Sequence, residues 1–503
     1  MRSLTHLLVS ALTKRPGRTV LLDPHGSITA GDLLSAARGV TTVLQKNGVG
    51  EGHRVGLLLE RGRDAAAATL GTLLCGASYL PLDTLGPAER VASVLAHASV
   101  RAVLTDRSLP ALADPVTTTW NGHQFVLDRG NLGTLRPAQH GAEGFLSGTE
   151  EDAYVLHTSG STGLPKGVRV GHSAATSFVT WAQEAFSLRP SDRVAWLAPL
   201  GFDLSVLELH AALWAGATVL AVPRKATVFP RDLLAFLERE SVSVLYVVPT
   251  RLLRLAEVLE GPAPRLTSLR LALFAGEVCP PRPLAKLMAA LPWTTFANLY
   301  GPTETNVCTC HVLSSPPLEV PPLGRPCPGQ VVRVVDAHGR NVEHGEGELW
   351  VGGPTLMSGY LGDPEGTERC LVEDPVGTPP GHPRGRLYRT GDRVRRTESG
   401  ALHFLGRDDC QLKRGGLRCE PGEIEAVLQR HPLVARALVE LCAGELLAHV
   451  ELLRPLPDPG RELRLHAREH LPAAMVPERV LVHAALPLLP NGKVDRLALR
   501  GHS

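Results

Sequence analysis

The sequence has 503 residues, of which 44% are hydrophobic and 20% charged, and its formal net charge at neutral pH is +2. This length exceeds what one hydrophobic core supports, so two or more domains are expected, and the composition is that of a folded globular protein. The charge is nearly balanced and is not concentrated in blocks, so neither a nucleic acid nor an anionic membrane is expected as a partner.

The N-terminal segment predicts a folded amphipathic helix. Leu4, Leu7, Leu8 and Leu12 recur at helical spacing, and the basic residues follow this run, whereas a secretory signal carries them in front of it. The most apolar stretch elsewhere, 204–222, contains an acidic residue and a histidine and does not predict a membrane span.

Strands and helices are predicted to alternate along the first three hundred residues. The elements, in chain order, are a helix after Thr29, a strand at 55–59, a helix after Arg63, a strand at 101–105, a helix at 231–240, a strand at 244–248, a helix at 252–259, a strand at 269–274, a helix at 284–291 and a strand at 295–299. This order predicts right-handed crossovers and mostly parallel sheets flanked by helices. Ligands bind beyond the carboxyl ends of such strands, so the loops after Tyr246, Phe274 and Leu299 are candidate site walls.

A glycine-rich loop lies at Tyr154–Val168, which reads YVLHTSGSTGLPKGV. Glycines let backbone N–H groups turn inward as an anion requires, four hydroxyls add donors, and Lys166 adds a positive charge. The loop is not a Walker A motif, because Gly167 stands where that motif has Ser or Thr. A flexible Ser/Gly linker is the alternative interpretation, and the preceding strand and the Pro-Lys-Gly end favour a phosphate loop.

A smaller unit is predicted to begin near Asp409. It comprises a helix at 422–429, strands near 435–441 and 446–453, and a helix at 463–470. We therefore expect an α/β protein with a large domain at 1–408 and a small, mobile α+β domain at 409–503. The nine cysteines are scattered, and only Cys308 and Cys310 lie close together, so we expect a reducing cytoplasm and no structural metal site.

Eight segments resemble the motifs of the adenylate-forming superfamily, which includes amino-acid adenylation domains, acyl-CoA synthetases and luciferases. In chain order they are CGASYLPLD at 75–83, TSGSTGLPKG at 158–167, FDLS at 202–205, NLYGPTE at 298–304, YRTGD at 388–392, GR at 406–407, LPAAMVP at 471–477 and NGKVDR at 491–496. Their number and order extend the resemblance over nearly the whole chain.

The resemblance implies ATP and Mg²⁺ as cofactors and assigns the nucleotide site. ATP phosphates would lie against Thr158, Ser159, Gly160, Ser161, Thr162, Gly163 and Lys166. Adenine and ribose would lie against Gly276, Glu277, Asn298, Tyr300, Gly301, Thr303, Asp392 and Arg407. Glu304 would hold the metal ion, since a hard cation prefers oxygen ligands.

The resemblance also assigns the catalytic lysine and the hinge. Lys493 would stabilise the charge that develops when the carboxylate meets the α-phosphate, and the small domain would rotate at Asp409 between the two half-reactions. Gly415 and Gly416 would border the path of the pantetheine arm. The segment 411–423 departs from the family pattern, because QLKRGGLR at 411–418 has two glycines where the usual pattern places the arginine just before one, and Pro421 stands where leucine is common.

Asp203 resembles the aspartate that binds the α-amino group of amino-acid substrates, although an aspartate here also suits a plain turn. The remaining pocket positions implied by the resemblance are Leu204, Leu207, Tyr246, Leu273, Ala275, Leu299, Val307 and Cys308. As a set they enclose an apolar space in which a charged or amide side chain would be left without partners, at about 1–3 kcal/mol or more.

The string of pocket residues resembles that of stand-alone ligases that load L-proline on a carrier protein, where it is later oxidised to a pyrrole for secondary metabolites. We expect activation of L-proline and transfer to the phosphopantetheine thiol of a separate carrier protein, since no carrier or condensation motif is visible in the sequence. Valine, isoleucine, leucine and alanine remain alternative substrates, because one methylene is worth only about 1–3 kcal/mol. An acyl-CoA synthetase using free coenzyme A and a catalytically inactive scaffold are the competing functions.

Overall fold

The computed structural model describes residues 3–106, 123–127, 152–160, 165–259, 265–377, 385–407, 412–414, 417–442 and 445–487. The chain divides into two compact units. The first comprises residues 1–84, 95–156 and 167–408, and the second comprises residues 85–94, 157–166 and 409–503. Each unit is described by itself below.

A nine-stranded sheet forms the centre of the first unit. Its strands, in spatial order, are Arg325–Pro326, Thr309–Leu313, Thr295–Tyr300, Leu271–Ala275, Val244–Val247, Arg193–Trp196, Thr218–Ala221, Thr19–Asp23 and Gly26–Thr29. The central pairs are parallel, and the pairs at either edge are antiparallel. The continuous apolar runs of the central strands are buried on both faces, as parallel strands covered by helices require.

A second sheet has seven strands. In spatial order they are Gly359–Tyr360, Lys166–Gly171, Asp152–Thr158, Ser78–Pro81, Arg54–Leu58, Ala102–Asp106 and His123–Leu127. From Asp152–Thr158 onward its described pairs are parallel. The predicted phosphate loop therefore connects two neighbouring strands of one sheet.

Helices flank these sheets where the sequence predicts them. Among the described residues up to 370, the helical segments are Leu4–Lys14, Ala30–Lys46, Arg63–Leu74, Ala88–His97, His172–Ala185, a π-helix at Val206–Ala211, Ala212–Trp214, a 3-10 turn at Arg224–Thr227, Pro230–Arg239, Pro249–Ala256, Pro281–Ala290 and Pro364–Cys370. Proline in the first turn begins four of them, because its fixed φ suits that position and its missing N–H leaves no helix hydrogen bond unmade.

A third sheet is antiparallel, and it is the part of the fold that the expectation of mostly parallel sheets did not include. Its strands are Val331–Val335, Gly345–Gly352, Arg386–Arg396 and Leu371–Glu373 in that order, with Leu402–Arg407 also paired to Arg386–Arg396. Buried and exposed residues largely alternate along Arg386–Arg396, and its outward arginines pair across strands: Arg389 lies 2.9 Å from Glu348, and Arg395 lies 2.6 Å from Glu346.

The second unit is α+β, as predicted. Its three-stranded sheet has the order Val434–Cys442, Glu445–Leu452, Arg479–His483, of which the first pair is antiparallel and the second parallel. The helical segments are Pro421–Gln429, Pro459–His470 and a 3-10 turn at Ala473–Met475, and a short hairpin pairs Leu412–Arg414 with Leu417–Cys419. Helices and sheet share a core that includes Ile424, Val439 and Leu463.

In the atypical 411–423 segment, the buried carboxylate of Glu423 forms an ion pair with Arg90, a residue of the same compact unit. Burial raises the pKa of Glu423, and the charge of Arg90 opposes that shift. Elsewhere, none of the described helices combines the length and the apolar character that crossing a membrane requires.

Candidate active site

Asp392 is the centre of a hydrogen-bonded cluster in the first unit. It is 2% exposed, and its carboxylate accepts hydrogen bonds from the phenol of Tyr300 and from the guanidinium of Arg407. Arg407 faces Asp392 directly across an antiparallel strand pair, and it also donates to the carbonyl oxygen of Thr390 at 3.0 Å. The structure thus brings together three residues predicted to bind adenine and ribose, from segments 92 and 15 residues apart.

The electrostatics of this cluster keep Tyr300 a hydrogen-bond donor. Burial and the charge of Asp392 raise the pKa of Tyr300 well above its ordinary value. A protonated phenol and a guanidinium therefore both donate to the Asp392 carboxylate. A carboxylate of this kind has further lone pairs with which to accept hydrogen bonds from ribose hydroxyls.

The three predicted site-wall loops lie side by side. Strand Leu271–Ala275 pairs in parallel with Val244–Val247 on one side and with Thr295–Tyr300 on the other, so their carboxyl ends share one edge. Beyond this edge Gly276 has a φ of +93°, a conformation that glycine adopts without strain. Glu277 accepts hydrogen bonds from the backbone and the hydroxyl of Thr250, at 3.1 and 2.6 Å.

A hydrogen bond and burial hold the side chain of Asn298 in place. Its side-chain amide donates to the carbonyl oxygen of Pro322 at 2.9 Å, and the residue is largely buried. The loop that follows it is held closed, because the backbone N–H of Cys308 donates to the carbonyl oxygen of Tyr300 at 2.8 Å. Gly301 has no room for a side chain, since a Cβ there would lie 1.6 Å from the carbonyl oxygen of Asn306.

Glu304, the predicted metal ligand, is fully buried. Its Oε1 atom accepts a hydrogen bond from the phenol of Tyr360 at 2.7 Å, and its backbone carbonyl accepts one from Met357 at 2.8 Å. The phenol of Tyr360 also lies 3.4 Å from that of Tyr388. A positioned carboxylate fits the preference of Mg²⁺ for oxygen ligands. Sequence reasoning missed Tyr360, and only a covarying partner of Glu304 would have indicated it.

Asp203 lies at the start of the helical segment that follows strand Arg193–Trp196. Its Oδ2 atom accepts a hydrogen bond from the hydroxyl of Thr303 at 3.1 Å. Thr303, which was predicted to contact adenine or ribose, donates this hydrogen bond to the carboxylate predicted to bind the amino group. Burial raises the pKa of Tyr154 and of Tyr246, and the charge of Asp203 adds to both shifts, so two neutral phenol-bearing rings lie near this carboxylate.

The predicted apolar pocket residues form part of one core cluster. The cluster includes Leu207, Tyr246, Leu273, Ala275, Leu299 and Val307, and Leu204 packs against the cluster. Cys308 is the exception, because its side chain belongs to the cluster around Tyr300 and Leu323, and its thiol donates to the carbonyl oxygen of Tyr300 at 3.3 Å. Cys308 therefore packs in the cluster that contains Tyr300, whereas its neighbour Val307 packs in the cluster that contains the other predicted pocket residues.

The π-helix Val206–Ala211 carries a buried acid that the sequence analysis did not assign to the site. The two carboxylate oxygens of Glu208 accept hydrogen bonds from the backbone N–H groups of Leu197 and Ala198, at 3.1 and 2.9 Å. Burial raises the pKa of Glu208 to about 8, and the charges of Arg61 and Arg251 oppose the shift. Glu208 thus connects the helix after Asp203 to the end of strand Arg193–Trp196 through these hydrogen bonds. In the sequence, an acidic residue within an apolar helical segment is the signal that could have identified it.

The structure describes part of the predicted phosphate loop. Thr158 ends one strand and Lys166 begins the next, with Ser159 and Gly160 between them. Ser161, Thr162 and Gly163 lie outside the described residues, as do the predicted hinge Asp409, the tunnel glycines Gly415 and Gly416, and the predicted catalytic Lys493.

Comparisons with known proteins indicate the family of the chain. A family profile described as AMP-binding enzyme matches residues 8–361. The chain is 36% identical over 517 residues to the L-proline--[L-prolyl-carrier protein] ligase of Pseudomonas fluorescens, covering 99% of both chains. It is also 38% identical over 510 residues to the phosphinothricin tripeptide synthetase PhsC of Streptomyces viridochromogenes, where 99% of this chain spans only 45% of that protein.

A solved structure is similar over the whole chain. The Vibrio cholerae adenylation domain AlmE, in complex with glycyl-adenosine-5'-phosphate, superposes with a TM-score of 0.83 at 25% sequence identity and covers 100% of this chain and 98% of its own. The matching profile spans well over half of the sequence, and the chain accordingly belongs to the AMP-binding enzyme family.

Proposed function

We propose that the protein activates L-proline with ATP, releases pyrophosphate, and transfers the prolyl group to the phosphopantetheine thiol of a separate carrier protein. The observation that carries this proposal is one compact unit holding both an acceptor for ribose, Asp392, and a carboxylate for an ammonium group, Asp203, the latter beside apolar walls. The full-length similarity to a ligase named for L-proline supports the choice of amino acid.

Nucleotide binding is assigned to the cluster around Asp392. The ribose hydroxyls would donate to this carboxylate, and adenine would lie near Tyr300, Asn298 and the turn at Gly276 and Glu277. The loop from Thr158 to Lys166 would contact the phosphates through backbone N–H groups, hydroxyls and the lysine. Mg²⁺, held at Glu304, would supply positive charge that neutralises the phosphates.

The chemistry has two steps. In the first, a carboxylate oxygen of the amino acid forms a bond to the α-phosphorus while the bond to pyrophosphate breaks, which joins two anionic groups. Lys493 of the small domain, 409–503, is proposed to offset that repulsion. In the second, the thiol sulfur attacks the acyl carbon, AMP leaves and the thiol proton is released. A rotation at Asp409 is proposed to exchange the lysine for the thiol.

Substrate choice rests on the surroundings of Asp203. A protonated amine beside this carboxylate would gain an ion pair with hydrogen bonds, which favours amino acids over fatty or aryl acids. Tyr246, Leu207 and Val307 are buried, and none of them carries a charge that a polar side chain could pair with. A compact apolar amino acid fits these walls, and proline fits with its three methylenes.

The prolyl thioester is proposed to serve pyrrole formation for secondary metabolism in the cytoplasm. The eight described cysteines are all free thiols, which supports a reducing compartment. A thioester on a carrier protein would hold the prolyl group in place for the oxidation that pyrrole formation requires.

The decisive experiment is amino-acid-dependent exchange of labelled pyrophosphate into ATP. We expect exchange with L-proline to exceed that with valine, isoleucine, leucine and alanine by at least about tenfold, and Lys493→Ala to lower it by about 100-fold or more. Lys14→Ala, on the exposed side of the first helix, is the matched control and should exchange as the wild type does.

Transfer is tested separately by intact-mass measurement. The acceptors are the phosphopantetheinylated L-prolyl carrier protein used by the Pseudomonas fluorescens relative and, in a parallel reaction, free coenzyme A. Loading of the carrier but not of coenzyme A supports a carrier-dependent ligase, whereas the reverse indicates an acyl-CoA synthetase. Absence of exchange with every amino acid would refute the proposed function.

A further inference from the structure

The helix Pro459–His470 places two histidines and a glutamate on one face. His466, Glu469 and His470 follow each other at positions i, i+3 and i+4, and one potential ligand atom from each lies within 4.8 Å of the others. This spacing of two histidines is the one by which helices present a pair of imidazoles to a single metal ion. The cluster lies in the second unit and takes no part in the proposed reaction.

Hydrogen bonds fix which nitrogen of each ring carries a proton. Nε2 of His466 lies 3.0 Å from the carbonyl oxygen of Val427, and Nδ1 of His470 lies 2.8 Å from the carbonyl oxygen of His466. A carbonyl oxygen only accepts, so these two nitrogens are the donors. In the neutral rings the lone pairs then belong to Nδ1 of His466 and Nε2 of His470. Zinc-binding histidines are oriented in the same way, with the non-ligating N–H donating to a carbonyl or carboxylate.

A further carboxylate lies next to the cluster. Oε2 of Glu89, in the same compact unit, is 3.5 Å from Nε2 of His470. A nitrogen lone pair and a carboxylate oxygen repel each other unless a proton or a cation lies between them. A tetrahedral ion with bonds of about 2.0–2.2 Å separates its ligand atoms by roughly 3.4 Å, which is close to the separation that these two atoms already have.

The neighbouring histidine is engaged elsewhere. The ring of His431 packs edge-on against that of His466, with 5.2 Å between the ring centres. Its Nδ1 atom accepts from the backbone N–H of Leu433 at 3.3 Å, and its Nε2 atom lies 3.3 Å from a carboxylate oxygen of Glu462. His431 therefore supports the orientation of His466 and is not assigned as a ligand.

We propose that His466, Glu469 and His470 bind a divalent transition-metal ion, with Zn²⁺ as the expected occupant and Glu89 as a further ligand. Two imidazoles and one or two carboxylates suit Zn²⁺, whereas Mg²⁺ prefers an all-oxygen shell. The ion would fix the C-terminal turn of the helix Pro459–His470 and would stabilise the folded state, because the unfolded chain does not present the ligands together.

The test uses untagged full-length protein from which metal has been removed with a chelator. Zn²⁺ is titrated calorimetrically in the presence of excess Mg²⁺, and Co²⁺ is then substituted, since its visible absorption reports tetrahedral coordination. We expect one Zn²⁺ per chain in the wild type, and an affinity at least about 10–100-fold lower in the double variant His466→Ala/His470→Ala. Zn²⁺ should raise the melting temperature of the wild type and leave that of the variant unchanged.

The control variant is His6→Ala, an exposed histidine on the first helix, which should bind Zn²⁺ as the wild type does. Glu469→Ala removes only an exposed side chain and should weaken binding by about tenfold even if the double variant does not fold. A wild-type protein that binds no equivalent of Zn²⁺, or variants that bind it with undiminished affinity, would overturn the proposal.

Discussion

Two carboxylates of the first unit, Asp392 and Asp203, are arranged in opposite ways. Asp392 is compensated within the protein, since the Arg407 guanidinium and the Tyr300 phenol both donate to it. Asp203 accepts from a neutral hydroxyl, that of Thr303, and has aromatic rings near it. The first arrangement suits neutral ribose hydroxyls, and the second carboxylate is the one proposed to bind the substrate ammonium. In the proposed assignment, the hydrogen-bond partners of each carboxylate differ with the charge of the ligand that it would bind.

Removing the charge at Asp203 should have the largest effect. Asp203→Asn keeps the shape but leaves the substrate ammonium without its ion pair, so we expect kcat/KM for the amino acid to fall by about 100- to 1,000-fold. Pyrophosphate exchange at saturating ATP measures this, and the KM for ATP should stay within about twofold. Asp232→Asn, an exposed helix position, is the control. A comparable rise in the KM for ATP would show that the two carboxylates do not serve separate ligands.

Asp392→Asn should instead affect the nucleotide. The variant loses the charge that Arg407 pairs with, and we expect the KM for ATP to rise by about 10- to 100-fold while the ranking of amino acids is unchanged. Initial rates over an ATP series, with Glu365→Gln as an exposed control, measure the effect. A changed ranking of amino acids would contradict the assignment.

Tyr300→Phe and Tyr246→Phe form a matched pair for the same comparison. Tyr300 donates to Asp392, so losing its hydroxyl should raise the KM for ATP by about threefold to tenfold. Tyr246 serves chiefly as an apolar wall in this proposal, and its phenylalanine variant should leave the KM for ATP unchanged. Equal effects of the two variants on the KM for ATP would contradict the proposed separation between the nucleotide site at Asp392 and the amino-acid pocket at Asp203.

The last prediction concerns the free energy of unfolding instead of activity, and it follows from the titration of Glu208. Its folded-state pKa of about 8 lies above that of an unfolded glutamate, so the folded protein binds more protons between about pH 4.5 and pH 8. The contribution of Glu208 to the free energy of unfolding therefore falls as the pH rises through this range. Urea unfolding of the wild type and Glu208→Gln from about pH 5 to pH 8 should show a difference in stability that shrinks with rising pH. The difference in free energy of unfolding between the wild type and Glu365→Gln should stay constant over this pH range. A difference between the wild type and Glu208→Gln that grows with pH would contradict the assignment.

The sequence predicted the elements between Arg231 and Tyr300 closely, because buried parallel strands are short apolar runs and the helices between them have one apolar face. It did not predict the antiparallel sheet of 331–407. There the strand Arg386–Arg396 is rich in arginine, and its buried residues Leu387, Tyr388 and Val394 are interspersed with arginines that pair with acidic residues of a neighbouring strand.

The sequence motifs predicted which residues belong to the candidate site, but they did not predict the hydrogen bonds between those residues. The motifs identified Asp392, Tyr300 and Arg407, and the structure brings them together. The hydrogen bond of Thr303 to Asp203 and that of Tyr360 to Glu304 join positions 100 and 56 residues apart, and no local pattern encodes such pairs. The interaction of Glu208 with two backbone N–H groups likewise depends on the end of a neighbouring strand.

The closed loop from Tyr300 to Cys308 has a consequence for redesign. One end of the loop carries the Tyr300 phenol that contacts Asp392, and the other end contributes Val307 to the apolar core cluster. Gly301 approaches Asn306 so closely that the two ends of the loop have little room to move independently. In the proposed assignment, a substitution at Val307 that alters amino-acid selectivity is therefore expected to change nucleotide affinity as well. Leu204 and Leu207 follow Asp203 on another segment, but the hydrogen bond between Thr303 and Asp203 joins that segment to the same loop, so substitutions there are expected to affect the loop as well.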